Sequence, residues 1–74
     1  MGAKPKIQFS ASLQSKNNGA SRIYIVKAHI RDKPLRTFTA VVYGPSDESR
    51  VASWCEMNQD ELPADRGMVL IELT

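Results

Sequence analysis

The chain has 74 residues, 42% hydrophobic and 24% charged, with a net charge of +2. This composition fits one small folded domain and excludes a disordered polymer. The longest apolar runs are four residues, such as Met68–Ile71, far short of the roughly 20 that a membrane helix needs. One cysteine and one histidine exclude an internal disulfide and a structural zinc site built from a single chain.

The modest net charge hides a strong polarity. Residues 1–36 hold eight bases against one acid, Asp32, a balance of +7; residues 37–74 hold two bases against seven acids, a balance of −5. Clustered Lys and Arg suit a polyanion, with the acidic half facing away from it.

Met1–Pro5 reads as a loose arm and residues 6–74 as one domain. Met1–Lys6 leads into alternation and not into an apolar block, so no secretory signal is expected. With no membrane span and no disulfide, a cytoplasmic location is expected. From Ile7, apolar Ile7, Phe9, Ala11 and Leu13 alternate with polar residues, the period of a strand with one buried face. Asn18-Gly19 marks a hairpin turn, because both residues tolerate positive φ. Residues 21–31 are rich in β-branched residues and predict a second strand. Tyr24, Val26, Ala28 and Ile30 fall on one face of it; Ile23, Ile25, Lys27, His29 and Arg31 fall on the other. Asp32-Lys33-Pro34 breaks that run. Residues 36–43 predict a third strand with Phe38, Ala40 and Val42 inward.

Gly44-Pro45 ends the third strand. Ser46 or Asp47 is placed to cap a helix of about three turns, in which Val51, Trp54 and Cys55 recur at i, i+3 and i+4. Residues 58–67 read as a loop. Residues 68–74 read as a last strand with Val69, Ile71 and Leu73 inward. The predicted class is α+β, mainly β, in β-β-β-α-β order. The sheet would be a small OB-like barrel or an antiparallel sheet with one packed helix. The predicted core is Ile7, Phe9, Leu13, Tyr24, Val26, Ile30, Phe38, Val42, Val51, Trp54, Val69, Ile71 and Leu73. Ile23 and Ile25 put apolar groups on the second face of the second strand, which predicts closure of the sheet or cover by another chain, most simply a homodimer.

Phe38-Thr39-Ala40-Val41-Val42-Tyr43-Gly44, the helix Arg50-Val51-Ala52-Ser53-Trp54 and Gly67-Met68-Val69-Leu70-Ile71-Glu72-Leu73 follow a known cadence. Over roughly half the chain it resembles the central part of bacterial-type single-stranded DNA-binding proteins with the oligonucleotide/oligosaccharide-binding fold. The basic strand-turn-strand region with Asp32-Lys33-Pro34 looks like the small binding proteins of filamentous phages. The resemblance implies a phage or mobile-element origin and a base-stacking role for Tyr43. A second stacking position of that family falls on Thr37, which cannot stack. It also implies five strands, of which four are readable here, leaving a sheet edge to be covered or managed.

Binding of single strands needs cations along a surface that also carries an aromatic platform. The candidate nucleic-acid-binding residues are Lys16, Arg22, Lys27, His29, Arg31, Lys33 and Arg36, with Tyr43 as the platform. Lys27, His29 and Arg31 alternate, so one strand face is expected to carry all three. No catalytic constellation, metal set or cofactor motif is readable: His29 has no nucleophile placed beside it, and Cys55 lies on the helix's apolar stripe as a buried thiol. The expected function is non-enzymatic binding of single-stranded nucleic acid. The competing expectation is a phage-encoded module that inhibits or regulates a host protein, for which Asp60, Glu61 and Asp65 would offer an acidic contact.

Overall fold

The computed structural model describes residues 6–17 and 21–73. The predicted arm, Met1–Pro5, and the Asn18-Gly19 turn lie outside the described residues. Strand β1 spans Gln8–Asn17, β2 Ser21–Ile30, β3 Lys33–Tyr43 and β4 Met68–Glu72; the helix α1 spans Glu48–Met57, followed by a 3₁₀ turn over Gln59–Glu61. The predicted β-β-β-α-β order is the observed one, and the protein is a small α+β fold. The strands lie in one four-stranded sheet in the order β1-β2-β3-β4. It does not close into a barrel among the described residues. The first two pairs are antiparallel, but β3 and β4 run parallel. The reason is the connection: a strand that returns through a helix to its neighbour's side re-enters in the same direction.

Two irregularities shape the ladder. Register shifts in β1 between Leu13 and Ser15, leaving Gln14 as the extra residue. It shifts again where Ala28 pairs with Arg36 and His29 with Pro34, leaving Leu35 extra on β3. Strand β3 therefore begins three residues earlier than residue 36. Pro34 is tolerated there because β4 reaches only Thr39–Tyr43, so the start of β3 is paired on one side only. The β2–β3 turn is Arg31-Asp32, with Arg31 at φ 55.

One face of the sheet forms the core. Tyr24, Val26, Phe38, Ala40, Val42 and Ile71 are buried there with Val51 and Cys55 of the helix; Phe9, Ala11, Trp54, Leu62, Val69 and Leu73 pack around them. Ala28 and Ala40 are fully buried small residues that hydrophobic bulk alone does not single out. The helix starts at Asp47, whose carboxylate accepts the Arg50 N–H at 2.7 Å, the N-cap bond expected there. It ends at Asn58, whose side-chain amide donates to the Trp54 carbonyl at 2.8 Å. Seven members of the predicted core are less deeply placed. Ile7, Phe9, Ile30, Trp54, Val69 and Leu73 are half-buried, and Leu13 is exposed. A ten-residue helix turns only Val51 and Cys55 fully inward, which leaves Trp54 on its flank.

Gly44 makes the β3–α1 turn possible. Its φ is +102, and a Cβ there would sit 1.6 Å from the Leu73 carbonyl oxygen. Both the backbone conformation and the space require glycine. Gly44→Ala is expected to cost roughly 1–3 kcal/mol through the backbone alone, lowering Tm by about 5 °C or more for a domain of this size. Thermal unfolding checks this; an unchanged Tm would contradict the close approach of Gly44 to Leu73.

Candidate nucleic-acid interface

The alternation of β2 and β3 leaves one face of the sheet without a covering layer among the described residues. Cross-strand neighbours on that face fall in rows: Ser10, Lys27 and Thr37; Ser12, Ile25, Thr39 and Met68; Ser15, Ile23, Val41 and Leu70; then Tyr43 and Glu72. Lys27 is exposed and His29, opposite Gln8 and Pro34, is half-buried. Arg31 is not on this strand face: it has left β2 and occupies the turn at positive φ. Even so, Lys27, His29 and Arg31 line a single open depression of about 440 Å³, together with Gln8, Ser10, Asp32 and Arg36. The turn thus brings Arg31 back to the cations from which the strand pattern alone separates it.

Apart from Arg36, which also borders that depression, the other candidates diverge. Arg22 and Arg36 share the faces of Tyr24 and Phe38, on the helix side of the sheet. There the Arg22 guanidinium donates to the Ser46 carbonyl, and that of Arg36 to the Pro63 carbonyl at 3.1 Å. Both side chains tie loops to the sheet. Lys16 stands opposite Arg22 and Lys33 opposite Ile30, so both belong to the helix side as well, where they are exposed. Tyr43 is on the uncovered face and 43% exposed. It lies six residues along β3 from Thr37, the partner of Lys27, or about 20 Å at strand rise. Between the cations and Tyr43 the face carries the apolar Ile23, Ile25 and Val41 among Ser12, Ser15 and Thr39, and, at the β4 edge, Met68 and Leu70, each 62% exposed. Ile23 and Ile25 are legible as an outward apolar pair. Met68 and Leu70 are legible only once the last strand is split into its two faces.

Several acids are held in structural roles on the helix side or at the rim. Asp65 accepts the Thr37 N–H at 2.9 Å, and Glu48 accepts the Leu13 N–H at 2.9 Å. Glu56 pairs with Lys6 at 2.7 Å. That hydrogen bond, with the attraction of the carboxylate, raises the Lys6 pKa above its ordinary value. Asp60 and Glu61 form the exposed 3₁₀ turn. Glu72 is the acid at the Tyr43 end of the uncovered face.

Among the described residues no group of three or more His, Cys, Asp and Glu side chains could hold a metal ion, and no helix is long and apolar enough to cross a membrane. No protein-family model, curated protein or solved structure matches the chain.

Cys55 is fully buried in the core, and desolvation pushes its thiol up to about 11. The thiolate is the reactive form, so the folded protein is expected to resist alkylation at neutral pH and to react fully once denatured. Because the pKa is raised on folding, the stability contributed by the neutral thiol is present below its unfolded pKa and is lost as pH rises through about 11. Mass spectrometry after iodoacetamide treatment checks the first point; rapid labelling of the native protein would contradict it.

Proposed function

We propose that the protein binds single-stranded nucleic acid along the uncovered face of its sheet, without catalysis. One observation carries the reading: Lys27 and His29 at one end and Tyr43 at the other lie on the same face, and nothing in the described chain covers it. A strand laid along β2 and β3 meets cations first, then the apolar floor of Ile25, Ile23 and Val41, then an aromatic ring. The span of about 20 Å suits a short footprint of about four nucleotides. Phosphates would sit at the Lys27 and Arg31 end and a base on Tyr43. The helix side, with Arg22 bonded to the Ser46 carbonyl, takes no part, and Arg36, bonded to the Pro63 carbonyl, only borders the depression.

Affinity then has two separable terms. Lys27→Gln and Arg31→Gln are each expected to weaken binding on every sequence and to lower the salt slope by about one or less, since fewer counterions are released. Tyr43→Ala is expected to cost about 1–3 kcal/mol and leave the slope unchanged, and Tyr43→Phe to be nearly neutral, because the ring does the stacking. Fluorescence titrations of labelled oligonucleotides at several salt concentrations test this. Binding unaffected by Lys27→Gln and Arg31→Gln would remove the sheet face as the site.

The apolar middle of the face favours a second reading, a protein-interaction module whose partner covers Ile23, Ile25 and Val41. Failure of any nucleic acid to bind at low salt, with a partner protein lost on Ile25→Lys, would establish that reading in place of the first.

A further inference from the structure

The cationic depression has a neighbour. Thr37 lines it on one side and also lines a second open depression of about 510 Å³, together with Thr39, Asp65 and Arg66. The two depressions adjoin at this one threonine. Thr37 and Thr39 belong to the uncovered face, where they pair with Lys27 and Ile25. Arg66 is the exposed cation of the second depression. It comes from the acidic half of the chain, so no local pattern joins it to Lys27.

The turn before β4 fastens Arg66 to the start of β3. The Arg66 N–H donates to the Thr37 carbonyl at 2.7 Å, the Gly67 N–H to the Ala64 carbonyl at 2.9 Å, and the Gly67 carbonyl accepts the Thr39 N–H at 2.9 Å. The Asp65 carboxylate accepts the Thr37 N–H at 2.9 Å. These bonds hold Arg66 at φ 67, a left-handed conformation that a side chain disfavours. The guanidinium is free for a ligand: among the described residues it has no hydrogen bond or salt bridge. Arg22 and Arg36 differ, since each serves a loop carbonyl.

We infer that Arg66 is a further phosphate contact, standing across Thr37 from Lys27. The inference rests on single-strand binding at the uncovered face. Lys27 pairs with Thr37 from β2, and the Arg66 main chain bonds Thr37 from the other side. The two roots are therefore about 10 Å apart, two strand spacings. Two long cationic side chains rooted at that separation can reach phosphates of one strand laid over Thr37. A guanidinium suits the task, because its fixed fork of N–H donors matches phosphate oxygens. Asp65 carries the opposite charge in the same depression. Its carboxylate is used by the Thr37 N–H, yet its charge still opposes a phosphate nearby. The cationic end is thus wider than the hairpin, with Lys27, His29 and Arg31 on one flank of Thr37 and Arg66 on the other.

Titration of the protein with a labelled oligothymidylate of about eight nucleotides, at several salt concentrations, tests it. Arg66→Gln is expected to weaken binding roughly threefold or more and to lower the salt slope by about 0.7, the value of one lost contact to a single strand. Arg66→Lys keeps the charge and is expected to restore the slope. Asp65→Asn keeps an acceptor for the Thr37 N–H while removing a negative charge, and is expected to tighten binding about twofold. Asp60→Asn, in the exposed 3₁₀ turn, is the matched control and is expected to change neither quantity. A wild-type slope in Arg66→Gln would overturn the inference even if affinity fell, since a disturbed turn and not a lost cation would then be the cause. If Lys27→Gln still weakens binding in that case, the sheet face remains the site and Arg66 alone is removed from it. No binding by the wild type at low salt would overturn both readings.

Discussion

The structure depends on how much a single helix can cover. Ten residues of helix seat Val51 and Cys55 on the face formed by Tyr24, Val26, Phe38, Ala40, Val42 and Ile71. That packing supplies the domain's hydrophobic core, and the described residues add no second layer. The opposite face must then be stable in water while carrying Ile23, Ile25, Val41, Met68 and Leu70. Met68 and Leu70 are exposed there, and Ile23, Ile25 and Val41 are half-buried. The loops around the core are held by polar bonds in place of bulk. Tyr24 keeps its ring in the core and meets Ser46 through its hydroxyl at 2.9 Å, while Arg22 holds the same loop by its carbonyl.

This division explains why a cluster of eight bases in the first half of the chain does not become one basic groove. A strand sends alternate side chains to opposite faces, so Arg22 and Lys27 part company on β2. Arg36 goes to the helix side with Phe38. Cations there serve as donors to buried or half-buried carbonyls, a role that a carbonyl's need for a partner makes valuable. Lys27, His29 and Arg31 are left to act together at the hairpin end, with Arg36 on the wall of the same depression. The shape is thus a bipolar face, cationic at one end and aromatic with Glu72 at the other, joined by an apolar floor.

Much of the fold is legible in local pattern. The alternation of Phe38, Ala40 and Val42, the Asp47 cap and the Val51-to-Cys55 stripe each specify an element from its own residues. What is not legible depends on contacts distant in sequence. The parallel β3–β4 pair is a matter of which side the chain returns to. The Leu35 bulge shifts the register that carries Lys33 and Pro34, and lengthens β3 beyond residue 36. Arg31 reads as the next outward residue of a strand because alternation says nothing about where a strand stops. Trp54 reads as the central anchor by size, yet a helix crossing β1 turns Cys55 inward more fully. The candidate site was legible at Lys27, His29 and Tyr43. Its apolar floor was only half so, because Met68 and Leu70 sit on the outward face of a strand known mainly by its inward residues.

On the proposed function, the uncovered face is the working surface. Backbone amide NMR of the labelled protein, titrated with a short oligothymidylate at low salt, tests it most directly. The account predicts that shifts concentrate at Ile23, Ile25, Lys27, His29, Arg31, Val41 and Tyr43 and spare residues 48–61. Shifts confined to the helix and the 3₁₀ turn, with the sheet face unmoved, would contradict it.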